Sequence, residues 1–479
     1  MNVKRAKALA LLSPSGANRL ARFCAEAFSA FAGSGNLELD VRALYYSIIP
    51  HKGYRESAQP RGRRRHIVRG KERSMWRELV DNITNYRCLS ESLSLWTRNL
   101  SVNSVIIFIM MIFMLVGAID RLRGDKYGYG SSFEEGFKAM GPLALGMVGV
   151  VAAAPVLSIL LKPVIVPVYR LLGADASMFA GTILAMDTGG YPLAMELASD
   201  PAVGKFSGLL LGGMMGPTLI FTIPVALAIL KKEDRKYLGP GVLTGLITIP
   251  FGCLAGGWAM NMTQYKISMG VMFINLLPVI IIAGLIVLGL WFAPERMMRG
   301  FSKFGTGVTI VVTFFTAAAI FEYQTQIKFP LLNLMVEEDA EGNIPLLNGL
   351  LICGQISTIL VGAFPMVKWL TKHFGKALTR FGGAFGMDET GSAGLIASLA
   401  NHIPMYNMLG DMNARGKLLN VAFSVSGAFV FGDHLGFTAG VDSEMIFPMV
   451  LGKLVAGVTA LLLTNLLYPL LLSKLSEES

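Results

Sequence analysis

Apolar stretches of about 20 residues, the length an α-helix needs to cross a hydrocarbon core of about 30 Å, recur along the chain with short polar connections. They occupy 102–118, 140–161, 206–230, 242–259, 269–292, 308–321, 346–370, 418–431 and 445–472. The pattern predicts about nine full transmembrane helices. Two further apolar segments are interrupted at their centres, 178–198 by AMDTGGYP (185–192) and 393–409 by NHIP (401–404). The expected fold class is therefore an all-α polytopic integral membrane protein with two broken or re-entrant hairpins.

Composition agrees: 53% of the 479 residues are hydrophobic and 15% charged, a balance that excludes a water-soluble chain of this length. The charge is uneven. Residues 1–100 hold eighteen Lys and Arg against eight Asp and Glu, which accounts for the whole formal +10. That part includes RGRRRHIVRGK (61–71), a pattern that would suit anionic lipid or nucleic acid. It is read as a flexible, dispensable extension with no nucleic-acid partner, and 101–479 as the transmembrane transporter domain. The run after Lys7 is too short for a signal peptide. Four scattered cysteines show no CxxC spacing, so neither a disulfide framework nor a metal or other cofactor site is expected.

Loop charges set the orientation. Lys231, Lys232, Arg235 and Lys236 crowd one connection, Arg296, Arg299 and Lys303 a second, and Lys368, Lys372, Lys376 and Arg380 a third, while Glu337, Glu338, Asp339 and Glu341 make another acidic. The positive-inside tendency faces the basic connections to the cytoplasm and the acidic one outward. If 393–409 crossed completely, Arg415 and Lys417 would lie outside. A hairpin returning to the cytoplasmic side avoids this, and the same argument makes 178–198 a hairpin from the opposite face. A shift of 212 residues lays Ala185, Pro192, Leu197, Ala202, Gly204 and Lys205 over Ala397, Pro404, Leu409, Ala414, Gly416 and Lys417. The two units are thus expected to form an inverted repeat, an arrangement secondary transporters build around a midplane site.

An ionised side chain at bilayer depth costs about 3 kcal/mol or more, so Asp187 needs a reason to be there. Gly189 and Gly190 let the backbone leave helical geometry, and Pro192 removes a donor. Broken backbone at that depth is tolerated where it lines a cavity or is buried in protein. Asp187, Thr188, Gly189 and Gly190 from the first hairpin, Asn401 and His402 from the second, and Asp433 and His434 from the next span are the candidate binding residues. Two carboxylates, two imidazoles, an amide and a hydroxyl suit a small cation that also hydrogen-bonds. Tyr191 and Trp258 offer ring faces for a cation or anchors at the interface. Gly204, Gly208, Gly212 and Gly216 fall four apart and predict a small-residue stripe against which the neighbouring hairpin, or a second subunit of a homo-oligomer, packs. A membrane-embedded metal hydrolase built on Asp187, His402, Asp433 and His434 is the alternative from another class, but no tight ligand spacing supports it.

Longer motifs carry a family likeness: FMLVGAIDR (113–121), SSFEEGFKAMG (131–141), SMFAGTILAMDTGG (177–190), LLLGGMMGPT (209–218), GAFPM (362–366), LANHIPM (399–405), GDHLGF (432–437) and MIFPMVLGKL (445–454). By these the chain resembles the ethanolamine-utilisation transporter (EutH) family from about residue 102 to the C-terminus, with no family counterpart for 1–100. The resemblance implies a permease of the bacterial inner membrane that admits ethanolamine for breakdown by ethanolamine ammonia-lyase. Protonated ethanolamine, an ammonium beside a hydroxyl, fits the residues above. Asp187 is then the expected counter-charge, helped by Asp433 and Asn401. The mechanism is left between facilitated diffusion by alternating access and proton-coupled transport of this or another small amine, with His434 beside Asp433 as the titrating group.

Overall fold

The computed structural model describes residues 87–339 and 342–477; the extension expected at 1–100 lies, up to residue 86, outside the described residues. The chain divides into two units, 1–94 and 95–479. Of the first, only 87–94 are described, as the start of the helix Arg87–Arg98. The described part of the second is built of helices with no strand.

Ser101 opens α1 (Val102–Leu122) with a reciprocal cap in which the Ser101 and Ser104 hydroxyls each accept from the other's N–H. Helix α2 (Tyr129–Lys138) runs on into α3 (Met140–Leu171) as one apolar span. The first interrupted segment follows as α4 (Ser177–Ile183) and α5 (Gly190–Leu197). Next come α6 (Pro201–Lys205), capped by the Asp200 side chain, and α7 (Ile223–Ile229). Helices α8 (Leu238–Met260), α9 (Met269–Phe292), α10 (Pro294–Thr325) and α11 (Pro345–Ala384) are long and continuous. The second interrupted segment gives α12 (Glu389–Ala400) and α13 (His402–Met408), followed by α14 (Ala414–Ser426), α15 (Asp433–Val441) and α16 (Ile446–Glu477).

Seven helices among the described residues are long and apolar enough to cross a membrane, and an eighth if Pro201–Leu211 and Met215–Ile229, bent by 43°, count as one. Two of the nine predicted spans, 206–230 and 418–431, are therefore not continuous helices. The first relaxes into π turns at Phe206–Leu211 and Thr218–Thr222, with a non-helical turn at 212–214 and a short α turn at Met215–Pro217 between them. The second stops at Gly427 and restarts at Asp433, with Phe429 at φ +64° in between. In both places the freed backbone groups find partners on a neighbouring element, so the helical ladder is not needed to satisfy them. Helix α10, at 32 residues, is about 48 Å long, well beyond the hydrocarbon core, and its extra turns carry Arg296, Arg299 and Lys303.

The buried centre is the pair α8 and α16, which pack along their length with α14 against both. Their backbones touch where Gly252 meets Gly452 and Ala456, and the Thr244 and Thr464 hydroxyls bond at 2.7 Å. On the other side α11 gathers α1, α2 and α3. Outward positions such as Leu145, Leu285, Phe292 and Ile310 are large, apolar and exposed, the surface lipid would cover. In the acidic connection Lys328 bonds Glu337 at 2.7 Å, and with Asn333 it holds that carboxyl below the ordinary glutamate range.

Both interrupted segments begin and end on a single carboxylate. Asp175 accepts from the N–H of Ser177 at 2.8 Å and the N–H of Ser199 at 2.9 Å, and also from the Ser199 hydroxyl. Asp388 accepts from Gly391 at 2.8 Å and Asn413 at 2.9 Å. The two arms of each segment pack on one another. Just beyond each closure stands a mostly buried ion pair: Lys205 with Asp442 and Lys417 with Asp234, both at 2.5 Å. Lys205 also lies 4.4 Å from the Tyr265 ring. Asp234 precedes α8 and Tyr265 follows it, so the two closures sit at opposite ends of that helix.

Candidate functional site

Four helix breaks meet in pairs. In the first, Leu184 turns extended, Met186–Thr188 form a single 3-10 turn, and Gly189 takes φ +91° before α5 starts. A side chain at Gly189 would collide with Val150, so the left-handed turn and the close approach both call for glycine. The Met186 N–H donates to the Gly212 carbonyl at 2.8 Å, tying this break to the unwound part of the following span. Gly216 presses on the Leu184 carbonyl there as well. In the second pair, Asn401 is extended between α12 and α13 and caps α13 by accepting from Ile403 at 2.8 Å. Phe429 and Phe431 donate to the carbonyls of Ser398 and Leu399, each at 2.9 Å, and Gly432 sits against the Ala400 carbonyl.

Between the pairs lies a cavity of about 540 Å³. Asp187, Thr188, Asn401, Asp433 and His434 line it, so five of the eight predicted binding residues are brought together from three separate segments. Gly189 and Gly190 shape the break without lining the space. His402 is not part of the lining: its ring is fully buried, 4.6 Å from Phe429, 5.4 Å from Phe221 and 5.2 Å from Tyr406, centroid to centroid, and both its nitrogens lack a partner. The reason is steric. The helix that Asn401 caps begins at His402 and directs it into the aromatic cluster rather than the opening. Tyr191 faces Lys205 and Phe437, and Trp258 is exposed on the apolar surface.

Neither Asp187 nor Asp433 has an ion-pair partner within 4.0 Å among the described residues. Sequence reasoning missed a third carboxylate at the cavity. Glu134 takes both Arg121 at 2.8 Å and Lys138 at 3.2 Å, while the adjacent, exposed Glu135 lines the space together with Lys138. The Glu-Glu pair in an otherwise weakly charged helix was the available signal. Sequence reasoning also passed over Lys453, buried in α16 with its ammonium donating to the Gly213 carbonyl at 2.5 Å. A lone lysine in the middle of a long apolar run was the signal there. Phe221, Phe364 and Phe429 supply the apolar wall.

Of the glycine stripe, Gly204 and Gly208 abut α5 at Ala198, Met195 and Tyr191, and Gly216 abuts the first break. Gly212 does not share that face; a side chain there would strike the Gly208 carbonyl of its own chain. A π-helical turn takes more residues than an α turn, so a four-residue period does not stay on one face through it. Among the described residues no group of three or more His, Cys, Asp or Glu is placed to hold a metal.

The fold and this site define a polytopic all-α membrane protein with an acid-lined internal cavity at discontinuous helices. The family described as "Ethanolamine utilisation protein, EutH" matches residues 102–467, and the chain belongs to that family. Similar proteins include the "Probable ethanolamine permease EutH" of Listeria monocytogenes, 53% identical over 75% of this chain and 93% of the relative. That of Escherichia coli K12, with the same description, is 45% identical over 77% and 96%. "Uncharacterized protein YxeR" of Bacillus subtilis is 47% identical over 75% and 94%. No solved structure matches the chain.

Proposed function

We propose that this protein carries protonated ethanolamine across the bacterial cytoplasmic membrane, with Asp187 as the counter-charge of the bound ammonium. The relatives' description as probable ethanolamine permeases supports the substrate. The observation that carries the site is that Asp187 and Asp433 line the same cavity and, among the described residues, no cation forms an ion pair with Asp187. A primary amine with a pKa near the lysine value of about 10 is almost wholly charged at neutral pH. It loses its hydration on entering a low-dielectric cavity, and a carboxylate offsets that loss. Asn401 and Thr188 bring an amide and a hydroxyl to the same space, complements to the substrate's own hydroxyl.

The reading extends to mechanism. Each interrupted segment starts and finishes on one aspartate, which supports hairpins that enter and return on the same side. Their closures lie at opposite ends of α8, which supports entry from opposite faces. The ion pairs Lys205–Asp442 and Lys417–Asp234 join the two halves reciprocally, through lysines 212 residues apart. That supports an inverted repeat in which one half moves against the other around the cavity.

The test is uptake of labelled ethanolamine into liposomes holding the purified protein. Wild type moves it, and an imposed membrane potential, negative inside, accelerates it. Asp187→Asn loses the charge-assisted contact, worth about 1.5–3 kcal/mol, so initial uptake falls about ten- to a hundredfold. Wild-type rates in a correctly inserted Asp187→Asn protein would remove Asp187 from the site. Competition by other small amines gives the specificity.

A further inference from the structure

Lys453 is the one fully buried lysine or arginine among the described residues, and the transport step as derived does not use it. Its ammonium has a single protein acceptor, the Gly213 carbonyl, at the break in the span after the first hairpin. The neighbouring Gly212 carbonyl holds the N–H of Met186, the residue before Asp187. Gly213 also lies against Met186, and His434 lines the cavity. The carbonyl that holds the lysine head group is thus next in sequence to the carbonyl bonded by the residue before Asp187, and the head group, on its four-carbon stem, is acted on by the Asp187 charge. Of the elements packed on α16, α15 brings Asp433 and His434, while α8 and α14 bring no ionisable side chain among those acting on Lys453.

A carrier must return empty after releasing its load. With the organic ammonium gone, Asp187 and Asp433 line one cavity, and two carboxylates left there without a counter-charge are costly at membrane depth. We propose that Lys453 is a tethered stand-in for the substrate: its ammonium neutralises the aspartates when the cavity is empty and withdraws to the Gly213 carbonyl when an organic ammonium takes its place. The structure shows the ammonium on the Gly213 carbonyl. No bond is made or broken and no proton need move; one cation displaces another. Lys453 is accordingly a positioning residue whose role falls in the unloaded half of the cycle.

This rests on the reading that Asp187 receives ethanolamine, and the experiment keeps the two apart by comparing net uptake with exchange. Exchange of labelled external for unlabelled internal ethanolamine never passes through the empty carrier; net uptake does. In Lys453→Gln, net uptake should fall about tenfold or more while exchange stays within about twofold of wild type, and retained exchange shows that the variant is folded. Ethanolamine should also bind Lys453→Gln more tightly, because its internal competitor is gone. Equal loss of net uptake and exchange with binding intact, or no change in either, would overturn the proposal. If Lys453→Gln fails to insert, Lys453→Arg decides: a permanent, bulkier cation competes for longer, so ethanolamine binding weakens severalfold, and unchanged binding is fatal. If wild type itself neither exchanges nor takes up ethanolamine, it is the substrate reading that fails.

Discussion

At the scale of single residues, charge without a partner is what makes the cavity a site. Asp187 and Asp433 are left free of ion pairs where burial makes that expensive, and Glu135 lines the same space with Lys138 while Glu134 takes both neighbouring cations. Glu135 is exposed, so its attraction for an incoming cation is screened by salt. Glu135→Gln should lower ethanolamine uptake by up to about fivefold at low ionic strength and by less as salt is raised; a loss independent of salt would place it in direct contact with bound substrate. Gly189 shows the backbone counterpart. Ala at φ +91° beside Val150 costs about 1–3 kcal/mol. Gly189→Ala is therefore expected to unfold at lower temperature in detergent, and to move substrate poorly because the turn that presents Asp187 is displaced. Asp187 and Asp433 were legible in the sequence because an aspartate within an apolar run has few uses; Glu135 was not. Nor was Lys453, because a lysine on an apolar helix reads equally well as one that snorkels to the surface, and only the fold shows that its stem points inward.

At the scale of elements, two breaks announced themselves through glycine, proline and charge together. The other two did not. The stretch 206–218 reads as a packing stripe, yet its regular geometry lapses where the Gly212 carbonyl serves Met186, just before Gly216 meets the Leu184 carbonyl. The stretch 427–432 reads as plain apolar helix, yet its N–H groups bond Ser398 and Leu399. In both, the partner that replaces the helical ladder lies 26 or more residues away in sequence, beyond what periodicity can register. The hairpin directions make a separate prediction. In a chain with its native cysteines replaced, Glu196→Cys reports the closed end of the first hairpin and Asp411→Cys that of the second; both positions are exposed. A membrane-impermeant maleimide added to intact cells should label the first, and the second only after permeabilisation. Labelling of both from one side would remove the opposed arrangement and the inverted repeat with it.

At the scale of the whole molecule, the two reciprocal ion pairs relate the ends of the cavity to each other. Lys205 leaves the first hairpin to grip Asp442 after α15, and Lys417 leaves the second to grip Asp234 before α8. Both pairs are mostly buried, and removing one partner of such a pair leaves the other charge stranded, so each is a contact whose loss favours opening at its own end. If the halves move against one another, a way to Asp187 from one face requires the pair on that face to part while the other holds. Lys205→Gln and Lys417→Gln should then bias the protein in opposite directions. With a reporter cysteine at Thr188, beside Asp187 on the cavity wall, Lys205→Gln is expected to speed its modification from outside severalfold and slow it from inside. Lys417→Gln should do the reverse. Exchanging the partners, Lys205→Asp with Asp442→Lys, should return the outside rate toward wild type, because the attraction is restored across the same interface. If both single variants changed reactivity from both sides alike, the pairs would be fastening the structure rather than gating it, and the motion would have to be sought in the hairpins alone.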